Sequence, residues 1–526
     1  MTASRPATVA HILAQNASAY PDRIALIDGD IRLTWTDLAS RVDRLAGALR
    51  QRGVSRGDRI LWLGQNSFRV YELLCVAAKL GAMVCPANWR WSAAEIEFAV
   101  DDFDPRVVFW QSEEIGDVIA QVPGRTERLW IRHDADPGGD GYERLVTGGN
   151  PPTDLPEVSS DDALLVIYTA AIDGRPGGSM LSHTNLITTA LTTSWAYSVS
   201  AQTVFLNAGP MFHIGNWQIV GLPTFVMGGT NVILRRPDPS AVLDALASQK
   251  CTSAFLMPAT IAEVAVLQRK QARDLSAFRA NAAFQLWQGL VELDDVPATR
   301  ISGGIGYGQT EMSGLNVLPA FGADGVGNAG RPAPGLTVAL LDENGVPVRD
   351  GETGEICVRG GIVHLGYWNR RETNAYRFRH GWWHTTDLGR WESDGSLTFI
   401  GTMTRMIKSG AENIFPAEVE AALESHPAVR EAAIIGVPNP RLLQDVKAIV
   451  ALHEGTELTQ EALIEHCKAK IASFKKPKSI EFVERLPRHG PDKDYDTLDD
   501  IFGGGGYPGG VNLGGGAGHE VKRNVS

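Results

Sequence analysis

The chain has 526 residues, 44% of them apolar and 21% charged, a globular balance that excludes wholesale disorder. A single hydrophobic core stops growing well below this length, so two or more folding units are expected. The formal net charge of −12 argues against a broad nucleic-acid-binding surface, although a local positive pocket for an anionic ligand remains compatible with it.

In chain order, Ala7 to Asn16 carries an amphipathic helical pattern. Ile24–Ile27 and Ile31–Trp35 flank an Asp-Gly-Asp turn, a hairpin signal. Leu38, Val42, Leu45, Ala46 and Leu49 recur at helical spacing. Arg59–Leu63 reads as a strand, Val70–Leu80 as a helix, and Leu80–Pro86 as a helix stop followed by a buried strand. Strands alternating with helices predict a parallel, helix-covered sheet. A Gly/Pro/Asp-rich connection at 134–161 precedes the apolar strand Ala163–Tyr168. Apolar strands and helices resume from Thr203 to Leu234. After Gly351 short strands are expected at Gly354–Arg359, Gly366–Trp368 and Leu397–Gly401. Beyond Pro416 the pattern becomes α+β: a helix over Glu418–Ser425, strands over Ala432–Val437 and Val446–Leu452, and a helix over Thr459–Ile471.

The fold class expected is α/β: a large N-terminal multi-subdomain α/β unit (residues 1–400) and a small mobile α+β C-terminal domain (409–502), joined by a hinge at 401–408. The glycine-dominated end, 503–526, has no side chains to build a core and is expected to be disordered. The five cysteines are scattered, without CxxC or zinc-site spacing, so buried reduced thiols are expected. No secretory pattern opens the chain and no run of about eighteen apolar residues occurs, so a cytoplasmic protein without a membrane segment is expected.

Five segments suggest chemistry. Tyr168–Gly178 leads from a strand into a loop with Gly174, Gly177 and Gly178, after which Leu181–Asn185 opens a helix. Backbone N–H groups of such a loop can wrap phosphates, although a plain surface turn looks the same. Gly306-Tyr307-Gly308-Gln309-Thr310-Glu311 offers an aromatic ring for a planar base, then a hydroxyl and a carboxylate suited to phosphate and Mg²⁺; a capped tight turn is the alternative. Asp387, within Gly381–Gly389, can accept the two hydroxyls of a ribose, or simply cap a turn. The fourth and fifth segments are Gly401–Pro416, with Lys408 and Gly410, and Leu486–Lys493. A lysine on a Gly/Pro-bounded loop can deliver charge to a developing anion, or can be only a solvated charge.

Taken in order, these segments resemble the family of AMP-forming acyl-CoA synthetases, adenylation domains and luciferases. The similarity runs from about Ala7 to Lys493. It includes Met211-Phe212-His213, Gly327–Gly335, Gly354-Glu355, Gly366-Tyr367-Trp368 and Asn413–Glu420. The resemblance implies ATP-dependent activation of a carboxylic acid to acyl-AMP, then transfer to coenzyme A, with ATP, Mg²⁺ and coenzyme A as cofactors. It implies that Thr169, Gly174 and Gly178 hold phosphates and that Tyr307 and Gly308 lie against adenine. Thr310 would touch phosphate, Glu311 would hold the metal and Asp387 would bind ribose. Gly410 would belong to the nucleotide site, His213 to the acyl pocket, and Lys493 would bridge carboxylate and phosphate during adenylation. A fatty acid is the default substrate by family frequency, with Trp217, Phe225 and Trp287 as aromatic candidates for the acyl pocket or for ordinary core. An acyl carrier protein is an alternative acceptor, and a homodimer is compatible with the resemblance. A further alternative is a non-catalytic homologue that binds nucleotide or acyl-CoA.

The chain departs from the family's pattern in places. The family loop Ser-Gly-Thr-Thr-Gly-x-Pro-Lys-Gly corresponds here to Ala170-Ala171-Ile172-Asp173-Gly174-Arg175-Pro176-Gly177-Gly178, without its hydroxyls and lysine. Thr402 stands where the family has a ribose-binding Arg, Arg405 at the usual hinge acid, and Thr386 in place of a Gly. The retained Thr310, Glu311, Asp387 and Lys493 favour a rearranged phosphate site over lost activity.

Overall fold

The computed structural model describes residues 7–123, 128–134, 141–169, 176–216, 220–256, 258–279, 287, 289–292, 306–321, 326–403, 405–410, 412–489 and 492–505. Two sheets form the frame of the large unit. The first has six strands, in spatial order Leu129–Arg132, Val107–Trp110, Arg59–Leu63, Met83–Ala87, Ala163–Thr169 and Gly177–Ser182. All neighbours are parallel except the last pair. The second runs Ser253–Ala254, Val204–Asn207, Thr230–Ile233 and Ile24–Asp28 in parallel, with Ile31–Thr34 antiparallel at its edge.

Side-chain alternation explains the layering. Ile60 and Trp62 point to one face of the first sheet. There they join Leu26 and Ile233 of the second sheet through Leu38, Val42, Leu45 and Leu73 in one continuous core. Those bridging residues lie on the helices Trp35–Gln51 and Arg69–Leu80, so helices are packed between the sheets. Leu61 and Leu63 point the other way, onto Ile96, Phe103 and Ile115 of the helices Ala93–Phe103 and Ser112–Ile119. The outer face of the second sheet is closed by Val242, Leu246 and Val264. Phe225 packs between Trp35 and Tyr71, with ring centroids 4.9 and 5.6 Å away. Trp287 packs on Phe278 at 4.9 Å. Both are core residues. Trp217 lies outside the described residues.

A four-stranded antiparallel sheet follows: Leu336–Leu341, Thr353–Gly360, Trp383–Trp391 and Leu397–Thr402. The C-terminal unit is built on two long antiparallel strands, Val429–Asn439 and Leu443–Leu452, with Ser479–Val483 parallel beside the second. One face carries Val419, Leu423 and Leu463 from the helices Pro416–Glu424 and Gln460–Lys470. The opposite face is covered by Leu486 and Leu498.

Three sequence expectations change. Gly177–Ser182 is a strand, not the end of a loop, and the helix His183–Ala196 begins only after it. Ser182 and Asn185 cap that helix reciprocally, at 3.1 and 2.8 Å. Gly366–Trp368 is not a strand; it makes one isolated bridge, from Tyr367 to Ser179. A helix not foreseen, Tyr495–Phe502, is capped by Asp494 and ends at Gly503, whose φ of 77° suits glycine. All five cysteines are free and buried. Among the described residues no helix is long and apolar enough to cross a membrane.

Candidate active site

A cavity of about 1030 Å³ opens between the C-terminal ends of the parallel strands, the antiparallel sheet and the C-terminal unit. Strand ends supply Ala87, Thr169, Ala208 and Leu256; the C-terminal unit supplies Lys408, Gly410, Glu412 and Lys475. Ligand crevices of open α/β sheets fall at this end of the strands.

On one wall Tyr307 and Asp387 form a fixed pair. The Tyr307 hydroxyl donates to Asp387 Oδ2 at 2.8 Å, and Gln309 Nε2 donates to the same oxygen at 3.0 Å. Tyr307 also stacks on Phe399, with centroids 5.5 Å apart. Burial pushes the Asp387 carboxyl up to about 7, although the bonds from Tyr307 and Gln309 and the Arg377 charge oppose that rise. Gly308 is needed for strand pairing, because a Cβ there would meet Gly314 O at 2.1 Å.

Thr310 and Glu311 follow in a single 3-10 turn and line the same cavity. The Tyr367 hydroxyl donates to Glu311 Oε1 at 2.6 Å. The second carboxylate oxygen has no protein partner among the described residues. A hard oxygen donor of this kind, beside the Thr310 hydroxyl, fits Mg²⁺, which prefers one or two carboxylates and substrate phosphates.

Of the glycine loop, Tyr168, Thr169 and 176–178 are among the described residues. Thr169 Oγ1 donates to Gly177 O at 3.3 Å, joining the two strands that flank it. Gly174 lies outside the described residues. Gly178 serves packing, since a Cβ there would meet Val166 Cγ1 at 2.9 Å.

The opposite wall joins the two units. His213 Nε2 lies 3.1 Å from Glu412 Oε2, and Arg90 bonds the other oxygen of the same carboxylate. Burial would raise the Glu412 pKa, but the charges and hydrogen bonds of His213 and Arg90 outweigh it and hold the group at about 2. Gly410, at φ 62°, lines the cavity and bonds through its N–H to Leu442 O at 2.7 Å. Lys408 Nζ donates to Asn413 Oδ1 at 2.6 Å; burial lowers its pKa, with Glu412 opposing.

The structure therefore gathers Thr169, His213, Tyr307, Gly308, Thr310, Glu311, Asp387 and Gly410 around one cavity. Lys493 is not brought there. Its ammonium is neutralised within the C-terminal unit by Glu420 at 2.9 Å and Glu424 at 3.2 Å, and it donates to Ala432 O at 2.5 Å. Sequence reasoning missed Arg90, Arg377 and the bridging role of Gln309. Arg90 meets Glu412 across 322 positions, and no local pattern announces such a pair. Gln309 stood inside a recognised segment, where its spacing from Tyr307 on one strand face was the available signal.

The AMP-binding enzyme family matches residues 13–368, and the AMP-binding enzyme C-terminal domain matches 418–493. Feruloyl-CoA synthase from Amycolatopsis sp is 35% identical over 91% of this chain and 96% of that protein. Indoleacetate–CoA ligase from Aromatoleum aromaticum is 32% identical over 90% of this chain and 94% of that protein. Among solved structures, o-succinylbenzoate CoA synthetase from Bacillus subtilis, bound with a product analogue, aligns with a TM-score of 0.77 at 25% identity. The alignment covers 93% of this chain and 98% of that one. Amide bond synthetase McbA from Marinactinospora thermotolerans shares the fold, with a TM-score of 0.79 at 23% identity, over 94% of this chain and 100% of that one. Matched in both units and along nearly their whole length, the chain belongs to the AMP-binding enzyme family, as one of the adenylate-forming acyl-CoA synthetases.

Proposed function

We propose that this enzyme activates an aromatic carboxylic acid with ATP and transfers the acyl group to coenzyme A. The observation that carries the proposal is the shared cavity. One wall holds a base-stacking ring, a ribose-ready carboxylate and a phosphate-ready hydroxyl. The other holds Phe212 against His213, and Ile214, Phe255 and Leu315 add apolar lining to the same cavity. Apolar and aromatic lining with a few convergent polar groups is the usual character of a small-molecule site. The more similar relatives named for aromatic acids, at 35% and 32% identity, favour an aryl substrate over the fatty acid expected from family frequency.

In the first step a carboxylate oxygen attacks the α-phosphorus of ATP, and the bond to pyrophosphate breaks. Two anions must approach, so offsetting positive charge lowers the barrier. Mg²⁺ held at Glu311 would neutralise phosphate charge. Tyr307 stacks on adenine, Asp387 accepts the ribose hydroxyls and Thr310 donates to phosphate. In the second step the coenzyme A sulfur attacks the acyl carbonyl and AMP departs. His213 stands at the acyl end, where Glu412 fixes its ring.

The arrangement of the two units fits the second step. Lys493 is outside the cavity, and the loop of Lys408, Gly410 and Glu412 is inside it. Lys493 would reach the phosphate only after the C-terminal unit turns, as small lids do between chemical steps. Incubation with ATP, Mg²⁺, coenzyme A and single acids tests the proposal, with thioester read by mass. Hydroxycinnamic or arylacetic acids should be converted faster than straight-chain fatty acids; the reverse order would reject the aromatic assignment.

A further inference from the structure

Arg377 closes the helix Arg371–Arg377 and is only 3% exposed. Its guanidinium lies over the Trp383 ring, 4.8 Å from the centroid. One nitrogen reaches Thr386 Oγ1 at 3.4 Å, a long contact, and Nε has no hydrogen-bond partner among the described residues. Neighbouring Arg370 and Arg379 are paired with Asp102 and Glu355. No ion pair to Arg377 occurs among the described residues. A buried cation without a counter-ion is costly, so the site is built for an anion that arrives from outside.

The direction is set by the cavity, which Arg377 lines together with Thr169, Glu311 and Asp387. Burial raises the Asp387 pKa, and the Arg377 charge is among the groups opposing it; burial lowers His364, and Arg377 lowers it further. Beside the lining residues Thr169 and Pro176, position 177 is a glycine that carries no charge. A Cβ there would meet the Tyr367 ring at 2.9 Å, and that ring is tied to Glu311 through its hydroxyl. Of the other lining cations, Arg90, Arg235, Arg236 and Lys475 are occupied by carboxylates. Lys408 and Lys478 belong to the C-terminal unit.

We propose that Arg377 binds the polyphosphate of ATP, supplying from the helix Arg371–Arg377 the positive charge that position 177 lacks. The assignment rests on the reading of this cavity as an ATP site. Guanidinium is suited to it, because its planar fork pairs two phosphate oxygens and stacks on an aromatic ring at once.

Calorimetric binding of ATP, adenosine and inorganic pyrophosphate to the full chain tests this. The variants are Arg377→Met, Arg377→Gln and Arg377→Lys, each checked by thermal melting. The neutral variants should lose about tenfold or more in ATP affinity, and pyrophosphate binding with it, while adenosine affinity stays within twofold. Arg377→Lys should keep most of the ATP preference. Arg377→Gln retains a donor toward Thr386 and serves if the Met variant fails to fold. Unchanged ATP affinity in a folded neutral variant overturns the proposal and leaves the ATP site standing. Equal loss for ATP and adenosine also overturns it, because Arg377 would then only prop the wall. Failure of the unaltered chain to bind either nucleoside would overturn the ATP-site reading together with it.

Discussion

His213 Nε2 and Glu412 Oε2, 199 positions apart, meet at 3.1 Å and join the large unit to the C-terminal one. Arg90 completes the contact from the other side of the carboxylate. Glu412→Gln removes the charge but keeps the size. It should slow thioester formation from supplied acyl-AMP by about tenfold, the scale of a lost charged hydrogen bond, with acid-dependent pyrophosphate release changed less than twofold. Equal slowing of both steps would show that the contact does not belong to the second step alone. The Glu412 carboxyl is held near 2, below its usual 4.5, so its contribution is complete above that usual value and is lost progressively as pH falls from there through about 2.

Lys493 is expected to act only in adenylation. Lys493→Ala should lower acid-dependent pyrophosphate release by about 10²-fold or more and leave transfer from supplied acyl-AMP close to normal. Its bonds to Glu420 and Glu424 also give it a structural role. Melting must therefore be measured alongside. Loss of both activities with a large drop in melting temperature would assign the lysine to stability.

Asp387 should make nucleotide binding pH-dependent. Its pKa is raised from 3.8 to about 7, chiefly by burial, so the folded state favours the protonated acid. Its stabilising contribution is present below the unfolded value and declines as pH rises toward about 7. Asp387→Asn removes the ionisation. It should raise the melting temperature at pH 8 relative to the unaltered chain, by a margin that shrinks toward pH 5. ATP affinity of the unaltered chain should rise with pH up to about 7, and that rise should vanish in the Asn variant. A flat profile in both would show that the carboxylate does not bind the ribose.

Thr386 occupies a left-handed backbone conformation at φ 61°, which disfavours side chains with a Cβ by roughly 1–2 kcal/mol. Thr386→Gly relieves that strain and gives up the hydroxyl that Arg377 reaches. A net stabilisation of about 0.5–1 kcal/mol is expected, read by urea unfolding. Destabilisation would mean that the hydroxyl contacts outweigh the backbone strain.

Much of the fold was legible because periodicity is local. The helices Trp35–Gln51 and Arg69–Leu80 and the strand Arg59–Leu63 follow directly from spacing of apolar residues. The strand Gly177–Ser182 was not, since its glycines read as loop; it is a strand because Ala163–Thr169 offers it a partner edge. The site was legible where roles sit in short segments, as at Tyr307–Glu311. Pairs such as His213 with Glu412, or Arg377 against Trp383, depend on where the chain returns. Lys493 shows the other limit: a sequence names a residue for a step but does not say in which orientation of the two units it is found.

Acid-dependent exchange of pyrophosphate into ATP, with Mg²⁺ and no coenzyme A, bears most directly on the whole account. It asks whether adenylation survives in a chain whose loop lacks the family's hydroxyls and lysine. Exchange that requires an aromatic acid, and that is lost in Lys493→Ala and weakened in Arg377→Met, is the predicted result. Absence of exchange with every acid tested, in a folded protein that still binds ATP, would contradict it.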